Sequence, residues 1–287
     1  MSIPSSAASS AIDDLLAWCA AHPVPDSDAE RFLRHLSSGP AAIIDRRAEG
    51  AVCVILDRAR SGTGCSPLEL AGFRPGALTD ALAKELITTA AEKAGALGLD
   101  GIDLRVTDEW AAHRRSIESG GFAYSYGDLD MLCTVPDWGQ DMAVPEGLAW
   151  HDIEPTLIDD FLRVYRAAFA DLPGVYFPDE AEQRRVLAVR RGAIRVLCDG
   201  RRVLAALRYA PDEAFLHSIA RDPVVKGRGF GRLVLDEARR RLPGRALTLN
   251  VVSSNRAALD LYKRHGFAIT ADRDVLSKPT NTPSSRD

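Results

Sequence analysis

The 287-residue sequence has no long apolar run. A membrane-spanning helix needs roughly 18 to 20 consecutive apolar residues, and no stretch approaches that length, so we expect no membrane segment. The first residues, MSIPSSAASSAIDDLL, have neither a basic start nor a long apolar core. We therefore expect no secretory signal and a cytoplasmic protein.

Disulfide and metal-ligand patterns are also missing. The five cysteines are scattered, odd in number and without a CxxC pair, which predicts buried thiols in a reducing compartment. The six histidines never occur at metal-ligand spacing, so we predict no metal. With 46% hydrophobic and 26% charged residues, the composition is that of a globular protein and excludes wholesale disorder, collagen and a coiled-coil rod.

Charge is divided unevenly along the chain. Residues 1–140 carry 12 Lys+Arg and 20 Asp+Glu, a net charge of −8, whereas residues 141–287 carry 24 and 20, a net charge of +4. A basic half suits a polyanion, either nucleic acid or a phosphate-rich cofactor, although uneven surface charge would give the same count. The basic residues form no nucleic-acid recognition motif, so we predict no nucleic-acid partner.

The order of predicted elements repeats. The first half is predicted to contain helical segments at 11–21 and 27–37 and a strand pair at 41–46 and 51–57. A strand at 67–73, a helix at 77–95, a strand at 101–106 and a helix at 109–119 follow. The second half repeats this order, with helices at 155–170 and near 181–190 and a strand pair at 193–198 and 203–209. A strand at 214–220, a helix after 231, a strand at 246–252 and a helix at 255–265 follow, and a final strand pair begins after Phe267. Gly121-Phe122 matches Gly266-Phe267 at an offset of 145. We predict two copies of one α/β unit, 1–138 and 148–287, joined by a linker at 139–147.

A glycine-rich loop, KGRGFG at 226–231, lies between a predicted strand and a predicted helix. Glycines let successive backbone N–H groups point toward one centre, and the helix N-terminus adds partial positive charge. Lys226, Arg228 and Arg232 add cationic side chains. The pattern predicts a pyrophosphate site, although a tight turn alone would use the same glycines.

A second motif starts at Asn255 and ends at Gly266-Phe267. On a helix Asn255, Ala258 and Tyr262 share one face, at i, i+3 and i+7. They would line a groove for an extended ligand. Alternatively, Asn255 is a plain N-cap and Tyr262 a core residue.

Together these segments resemble the GNAT superfamily of acyl-CoA-dependent N-acyltransferases, over roughly residues 148–280. The family loop Arg/Gln-x-x-Gly-x-Gly/Ala stands here with Lys226 in first place, and the pattern Asn-x-x-Ala-x-x-x-Tyr followed by Gly-Phe is complete. The resemblance implies an α/β fold with a bent mixed sheet flanked by helices. It also implies acetyl-CoA as co-substrate, with its pyrophosphate on amides 226–231 and its pantetheine arm along a strand end. The implied cofactor-binding residues are Ile219, Ala220, Arg221, Lys226, Gly227, Arg228, Gly229, Phe230, Gly231, Arg232, Asn255 and Ala258.

The chemistry implied by the resemblance is attack of an amine on the thioester carbonyl, passing through a tetrahedral oxyanion, with departure of the CoA thiolate. Tyr262 would protonate the leaving sulfur as general acid. A protonated alkylamine has a pKa of about 10, so a base must take its proton. Glu213 and His217 are the candidates, although Glu213 also suits a plain turn position and His217 a strand position without a catalytic role.

The first half resembles the same family but departs from it where the ligand would bind. It has no glycine-rich loop, and Thr79-Asp80 stands at the start of helix 77–95, where we expect the aspartate to cap the helix and repel phosphate. By the Gly-Phe offset, Ile117 replaces Tyr262 and Trp110 replaces Asn255. We predict a degenerate copy that supports the fold and shapes the acceptor site.

The acceptor itself stays open. Residues 169–182 join aromatic side chains to carboxylates, which suits a cationic amine with an apolar body, but the acids at 179, 180 and 182 equally suit the first turn of a helix. A small-molecule amine, a protein amine and non-catalytic acyl-CoA binding all fit the sequence, and the oligomeric state is undetermined.

Overall fold

The chain forms two compact units, each with its own mixed sheet and helices. The computed structural model describes residues 13–19, 21, 42–55, 65–71, 77–134, 142–175, 177, 184, 187 and 193–280. Unit 1 comprises Met1–Ser125 with Arg273–Asp287, and unit 2 comprises Tyr126–Asp272. The predicted helix at 27–37, most of the one near 181–190 and the linker residues 139–141 lie outside the described residues. Among the helices of the described part, none has the length and apolarity to cross a membrane.

Unit 1 is built on strands in the order β1-β2-β3-β4-β11. β1–β2, β2–β3 and β4–β11 pair antiparallel, and β3–β4 pairs parallel. The elements are β1 (Ala42–Arg46), β2 (Ala51–Ile55), β3 (Cys65–Ala71), α1 (Asp80–Ala96), β4 (Gly101–Arg105), α2 (Asp108–Ala111), α3 (Arg114–Ser119), the first residues of β5 (Ala123–Cys133) and the end of β11 (Ala268–Pro279).

α1 forms because its apolar residues recur every three or four positions and so make one buried stripe. Leu82, Leu86 and Ile87 of that stripe pack in one cluster with the sheet residues Ile102 and Leu104. The helical segment 13–19 adds a smaller cluster in which Leu15 and Cys19 pack with β2.

Unit 2 holds the glycine-rich loop. Its strands stand in the order β5-β10-β9-β8-β7-β6, with β9–β10 parallel and the other pairs antiparallel. The elements are β6 (Leu148–Asp152), α4 (Ile158–Phe169), β7 (Ile194–Asp199), β8 (Arg202–Ala210), β9 (Phe215–Arg221), α5 (Phe230–Arg241), β10 (Leu247–Val252) and α6 (Arg256–Arg264). The predicted α/β class with a mixed sheet and flanking helices is confirmed.

The sheet of unit 2 is buried on both faces. On one face Leu207 and Leu216 pack in a cluster with Leu233 of α5. On the other face Ala206 and Ala220 pack in a cluster with Phe161 of α4. We call these the α5 face and the α4 face. Burial on both sides explains why β7 and β8 read as nearly continuous apolar runs.

Each unit takes its closing strand from the other half of the sequence. Residues 128–133 of β5 pair with β10 in unit 2, and residues 275–279 of β11 pair with β4 in unit 1. The predicted domains 1–138 and 148–287 divide the chain in the linker, whereas the compact units divide it within β5 and β11. The sequence shows where the repeat lies but not which strand each sheet recruits.

Two helices, one in each unit, end in the same way. The Phe122 amide donates to the Ile117 carbonyl at 3.4 Å, and the Phe267 amide donates to the Tyr262 carbonyl at 3.1 Å. The preceding glycines, Gly121 and Gly266, both have positive φ, of 92° and 79°. This is the same helix-terminating turn at the predicted offset.

Three element predictions were wrong. The helix predicted over 109–119 is broken into α2 and α3, because His113 has φ −108° and ψ 13°, outside the helical region. The final strand pair is one 12-residue strand, β11. β6 was missed because it is a five-residue edge strand with exposed positions and no clear alternation.

Candidate functional site

The central feature of unit 2 is an opening between the parallel strands β9 and β10. The two strands pair at Phe215 and Leu216, and beyond these positions the described strands no longer pair. On its other side β9 pairs with β8, but the register passes from Ser218 to Leu216, so His217 is an extra residue. Such a bulge bends a strand and increases its twist. The backbone of 218–221 consequently keeps a free edge on the β10 side.

The three residues predicted to run along a pantetheine arm lie on this edge. Ile219 is half-buried against the α5-face cluster, Ala220 is buried on the α4 face and Arg221 is half-buried. Their opposite sides are held by β8, since Ile219 pairs with Leu207 and Arg221 pairs with Ala205. The edge is thus a rigid template for an extended ligand.

Asp222 ties the end of β9 to the loop that follows. The residue is only 3% exposed. Its carboxylate accepts hydrogen bonds from the Val224 amide (3.0 Å), Arg163 (2.8 Å) and Arg202 (3.2 Å). Burial alone would raise the pKa of Asp222, but these donors outweigh it and lower the pKa. A permanent carboxylate therefore fixes the first turn of the loop, at Pro223–Val225.

The glycine-rich loop presents unpaired amides at the start of α5. The amides of Lys226 and Arg228 donate to loop carbonyls, at 3.1 and 3.2 Å. Four of the six predicted amides have no acceptor within the described part of the chain: Gly227, Gly229, Phe230 and Gly231. With the helix dipole behind them, they make a ready anion site.

The three glycines have different reasons to be glycine. Gly227 and Gly229 have φ of 80° and 81°, which other residues adopt at a cost. A Cβ on Gly231 would stand 2.8 Å from Cδ2 of Leu261, so this glycine allows α5 and α6 to approach. Only the first two are explained by loop conformation.

The side chains around the loop differ in their exposure to solvent. Lys226 and Arg228 are exposed, whereas Phe230 is buried in the α5-face cluster. Arg232 lies 3.8 Å from Asp236, which is fully buried. The first two cations are therefore the ones best placed to meet a ligand from solvent.

A contact that the sequence did not reveal comes from the linker. The Met142 amide donates to Asp236 at 2.9 Å, and Cε of Met142 lies 3.2 Å from the Cβ position of Gly229. The linker end thus packs on the glycine loop. The signal was a pair of acidic residues, Asp236 and Glu237, within the buried part of the helix.

α6 places the second motif beside this loop. Asn255 is the N-cap and accepts a hydrogen bond from the Ala258 amide at 3.3 Å, which is the capping alternative raised by the sequence. Ala258 is half-buried and packs against the α5-face cluster. The groove-lining role of both residues stays a prediction.

Tyr262 is 8% exposed, and its ring lies 5.6 Å from that of Phe267. Among the described residues no hydrogen-bond partner reaches its hydroxyl. Burial raises the pKa of Tyr262, so the phenol stays protonated well above neutral pH. A protonated O–H on a largely buried ring, with no partner among the described residues, is chemically suited to donate a proton.

The two candidate bases lie on the β9 side. Glu213 is exposed in the turn 211–214, as the turn alternative predicts, and His217 is exposed at the bulge, with its ring 5.0 Å from that of Phe215. His217 is therefore the one that stands where β9 leaves β10.

The corresponding region of unit 1 differs. The pairing of β2 with β3 runs without a bulge. Thr79, not Asp80, caps α1, accepting from the Leu82 amide at 3.2 Å. The Asp80 carboxylate instead bonds His113 (2.8 Å) and Ser116 (2.9 Å), which lower its pKa.

Ile117 and Trp110, the residues that replace Tyr262 and Asn255 by offset, are both buried in the unit 1 core. The equivalent helix face is therefore packed, where unit 2 has a phenol and a cap.

Unit 2 therefore combines a parallel strand pair that opens with a glycine-rich helix N-terminus beside it. Residues 150–267, less than half of the chain, match the Acetyltransferase (GNAT) family model. A segment of 60 residues, 20% of this chain, is 40% identical to the peptidyl-lysine N-acetyltransferase YjaB of Salmonella typhimurium. That match spans about 40% of the relative's length.

Solved structures share the fold over nearly the whole chain. A GCN5-related N-acetyltransferase from Sphaerobacter thermophilus matches with a TM-score of 0.67 and 17% identity, over 93% of this chain and 90% of that one. A tandem GNAT protein from the clavulanic acid biosynthesis pathway matches with a TM-score of 0.61 and 14% identity, over 94% of each chain. At these identities the similarities show a shared fold.

Proposed function

We propose that this protein transfers an acyl group, most simply acetyl, from acyl-CoA to a primary amine by direct attack in a ternary complex. The observation that carries the proposal is the opening of β9 from β10 directly before four unpaired amides at the N-terminus of α5. The pantetheine arm of acyl-CoA would lie along the open edge of β9, and its pyrophosphate would lie on the unpaired amides that follow.

The residues fit such a ligand by charge and by shape. The amides of Gly227, Gly229, Phe230 and Gly231 would hold the pyrophosphate, with Lys226, Arg228 and Arg232 around it. The free edge at Ile219–Arg221 would pair with the amide groups of the pantetheine arm. Asn255 and Ala258 would border the groove from α6. When bound, acetyl-CoA supplies an activated thioester.

Tyr262 would supply the proton that the leaving sulfur needs. Its raised pKa keeps the phenol in the acid form at the pH where an amine is partly deprotonated. Backbone N–H groups at the β9 bulge would polarise the carbonyl.

His217 would take the proton of the attacking amine, directly or through a water, since it stands at the bulge. Glu213, four residues earlier, would act from the turn. Two variants distinguish these roles. His217→Ala should reduce kcat at neutral pH more than Glu213→Ala does, because the bulge lies nearer than the turn to the opening between β9 and β10.

We also propose that unit 1 is a degenerate copy. It keeps the hairpin, the parallel pair and the helix-terminating turn, but β2–β3 has no bulge and its helix face is filled by Ile117 and Trp110. It would stabilise the fold.

The test is the shift in melting temperature that acetyl-CoA binding causes. The wild type should be stabilised by acetyl-CoA, and Gly229→Glu should abolish the shift by placing a carboxylate in the anion site. Gly244→Glu is the matched control, because Gly244 also has positive φ (68°) and no described heavy atom lies within 4 Å of its Cβ position. Absence of a shift in the wild type, or an equal loss in both variants, would reject the cofactor assignment.

A protein acceptor is the second candidate, and one observation favours it: the matched relative from Salmonella typhimurium is named a peptidyl-lysine N-acetyltransferase. Release of CoA thiol with a panel of free amines and of lysine peptides distinguishes the two. CoA binding without thiol release from any acceptor would instead favour a non-catalytic acyl-CoA-binding module.

A further inference from the structure

One half-buried arginine near the opening is held by an aromatic side chain. Arg208 lies on β8 and pairs with Ser218, the residue next to the bulge at His217. Because side chains alternate along a strand, Arg208 projects on the same face as Ala206, which is buried on the α4 face. Its guanidinium therefore lies at the level where β9 leaves β10, on the face opposite α5.

Tyr165 of α4 holds this guanidinium in place. Nη1 of Arg208 donates to the Tyr165 hydroxyl at 3.2 Å, and the guanidinium carbon lies 5.4 Å from the centre of the Tyr165 ring. The Tyr165 ring is itself fixed by three aromatic neighbours at 4.8 to 5.9 Å between ring centres: Phe161, Phe169 and Phe177. Arg208 is thus a preoriented cation beside an apolar wall.

Two other arginines of unit 2 have carboxylate partners. Arg163 pairs with Asp160 at 2.5 Å and with Asp222, and Arg195 pairs with Glu237 at 3.0 Å and with Asp152. In the described part of the chain no carboxylate pairs with Arg208, although it is half-buried. One of its five N–H donors is used on Tyr165, which leaves a planar fork able to hold a carboxylate or phosphate with two hydrogen bonds.

We propose that the acceptor is an amine that also carries an anionic group, a carboxylate or a phosphate, and that Arg208 binds that group. This inference rests on the proposed function and adds the chemical class of its acceptor. The aromatic wall of Tyr165 and its neighbours would contact the apolar part of the acceptor. The anion would be anchored on the α4 face, and the amine would then point toward the bulge.

The experiment compares acceptors that differ only in the anion. Glucosamine 6-phosphate is paired with glucosamine, and L-phenylalanine with L-phenylalaninamide, and kcat/KM is measured by CoA thiol release. The wild type should prefer the anionic member of at least one pair. Which pair shows the preference tells a phosphate from a carboxylate. Arg208→Gln should remove about tenfold or more of that preference, as expected for a charge-assisted bidentate pair, and Arg208→Lys should retain part of it.

Comparing the preference between wild type and variant cancels differences in amine basicity. An equal loss with both members of a pair would overturn the proposal, because it would mean that Arg208 only packs against Tyr165. So would a wild type without any preference for the anionic member. KM for acetyl-CoA should be unchanged in Arg208→Gln.

Failure of the proposed function has a different signature, namely no thermal shift with acetyl-CoA and no thiol release. In that event calorimetric binding of the same probes, with and without CoA, still decides the inference. Binding of the anionic probe that Arg208→Gln abolishes supports an anion site. Equal binding of anionic and neutral probes, or of wild type and variant, overturns it.

Discussion

Replacing Tyr262 by phenylalanine should separate catalysis from stability. The change removes one oxygen and keeps the ring that packs against Phe267. Because the hydroxyl has no partner among the described residues, no hydrogen bond is lost. The Tyr262 hydroxyl is not among the fully buried polar atoms that lack a partner. Its loss should therefore change the free energy of unfolding by no more than about 0.5 kcal/mol.

Turnover should fall. A positioned general acid contributes about 10²–10⁴-fold, and a thiolate needs less assistance than an alkoxide because a thiol pKa is only about 8.5. We expect kcat to drop about 10- to 100-fold while the Kd for acetyl-CoA stays within about twofold. Because burial raises the pKa of Tyr262 above that of an ordinary tyrosine, the wild type should lose no activity through its ionisation up to about pH 10.

The assay measures CoA thiol release over pH 6–10, chemical unfolding and acetyl-CoA binding on the same preparations. Tyr209→Phe is the matched control, because Tyr209 is buried in the same cluster but lies on β8, outside the two motifs. It should keep its kcat. If Tyr262→Phe is strongly destabilised, or if its kcat equals that of the wild type, the general-acid assignment is refuted.

Two further variants test the loop. Gly231→Ala should lower the free energy of unfolding by about 1–2 kcal/mol, because the new Cβ would stand 2.8 Å from the end of Leu261; an unchanged unfolding midpoint would show that Leu261 moves freely. Asp222→Asn should cost about 1–2 kcal/mol, discounted for the exposure of its arginine partners. Since the folded pKa of Asp222 is lowered, this difference should be complete above about pH 5 and shrink as the pH falls below about 4; a difference that is constant from pH 3 to 7 would contradict the ion-pair account.

Much of the fold could be predicted because its signals are local. The hairpin turns at Gly50 and Gly200, the parallel strands and the helix end at Gly266 follow from glycine conformation and apolar periodicity, and β1–β2 and β7–β8 formed where predicted. The break in helix 109–119 was missed because the apolar pattern continues through His113, whereas the backbone leaves the helical region there.

The candidate site was predicted in its residues but not in their geometry. The spacing from Lys226 to Gly231 identified the loop, yet the pairing of the Lys226 and Arg228 amides with loop carbonyls depends on how the turn closes. Arg208 carries no sequence motif at all. The role proposed for Arg208 depends on its contact with Tyr165, which is 43 residues away along the chain.

The sequence by itself determined the glycine loop and the charge division, and it predicts the repeat, because each is a matter of residue type and spacing. The tertiary structure decided the rest. The bulge at His217 opens the strand pair, and which strand closes each sheet depends on pairing between distant segments: β10 with β5, and β4 with β11. Strand pairing is non-local, so the same local pattern is compatible with several partners until the whole chain has packed.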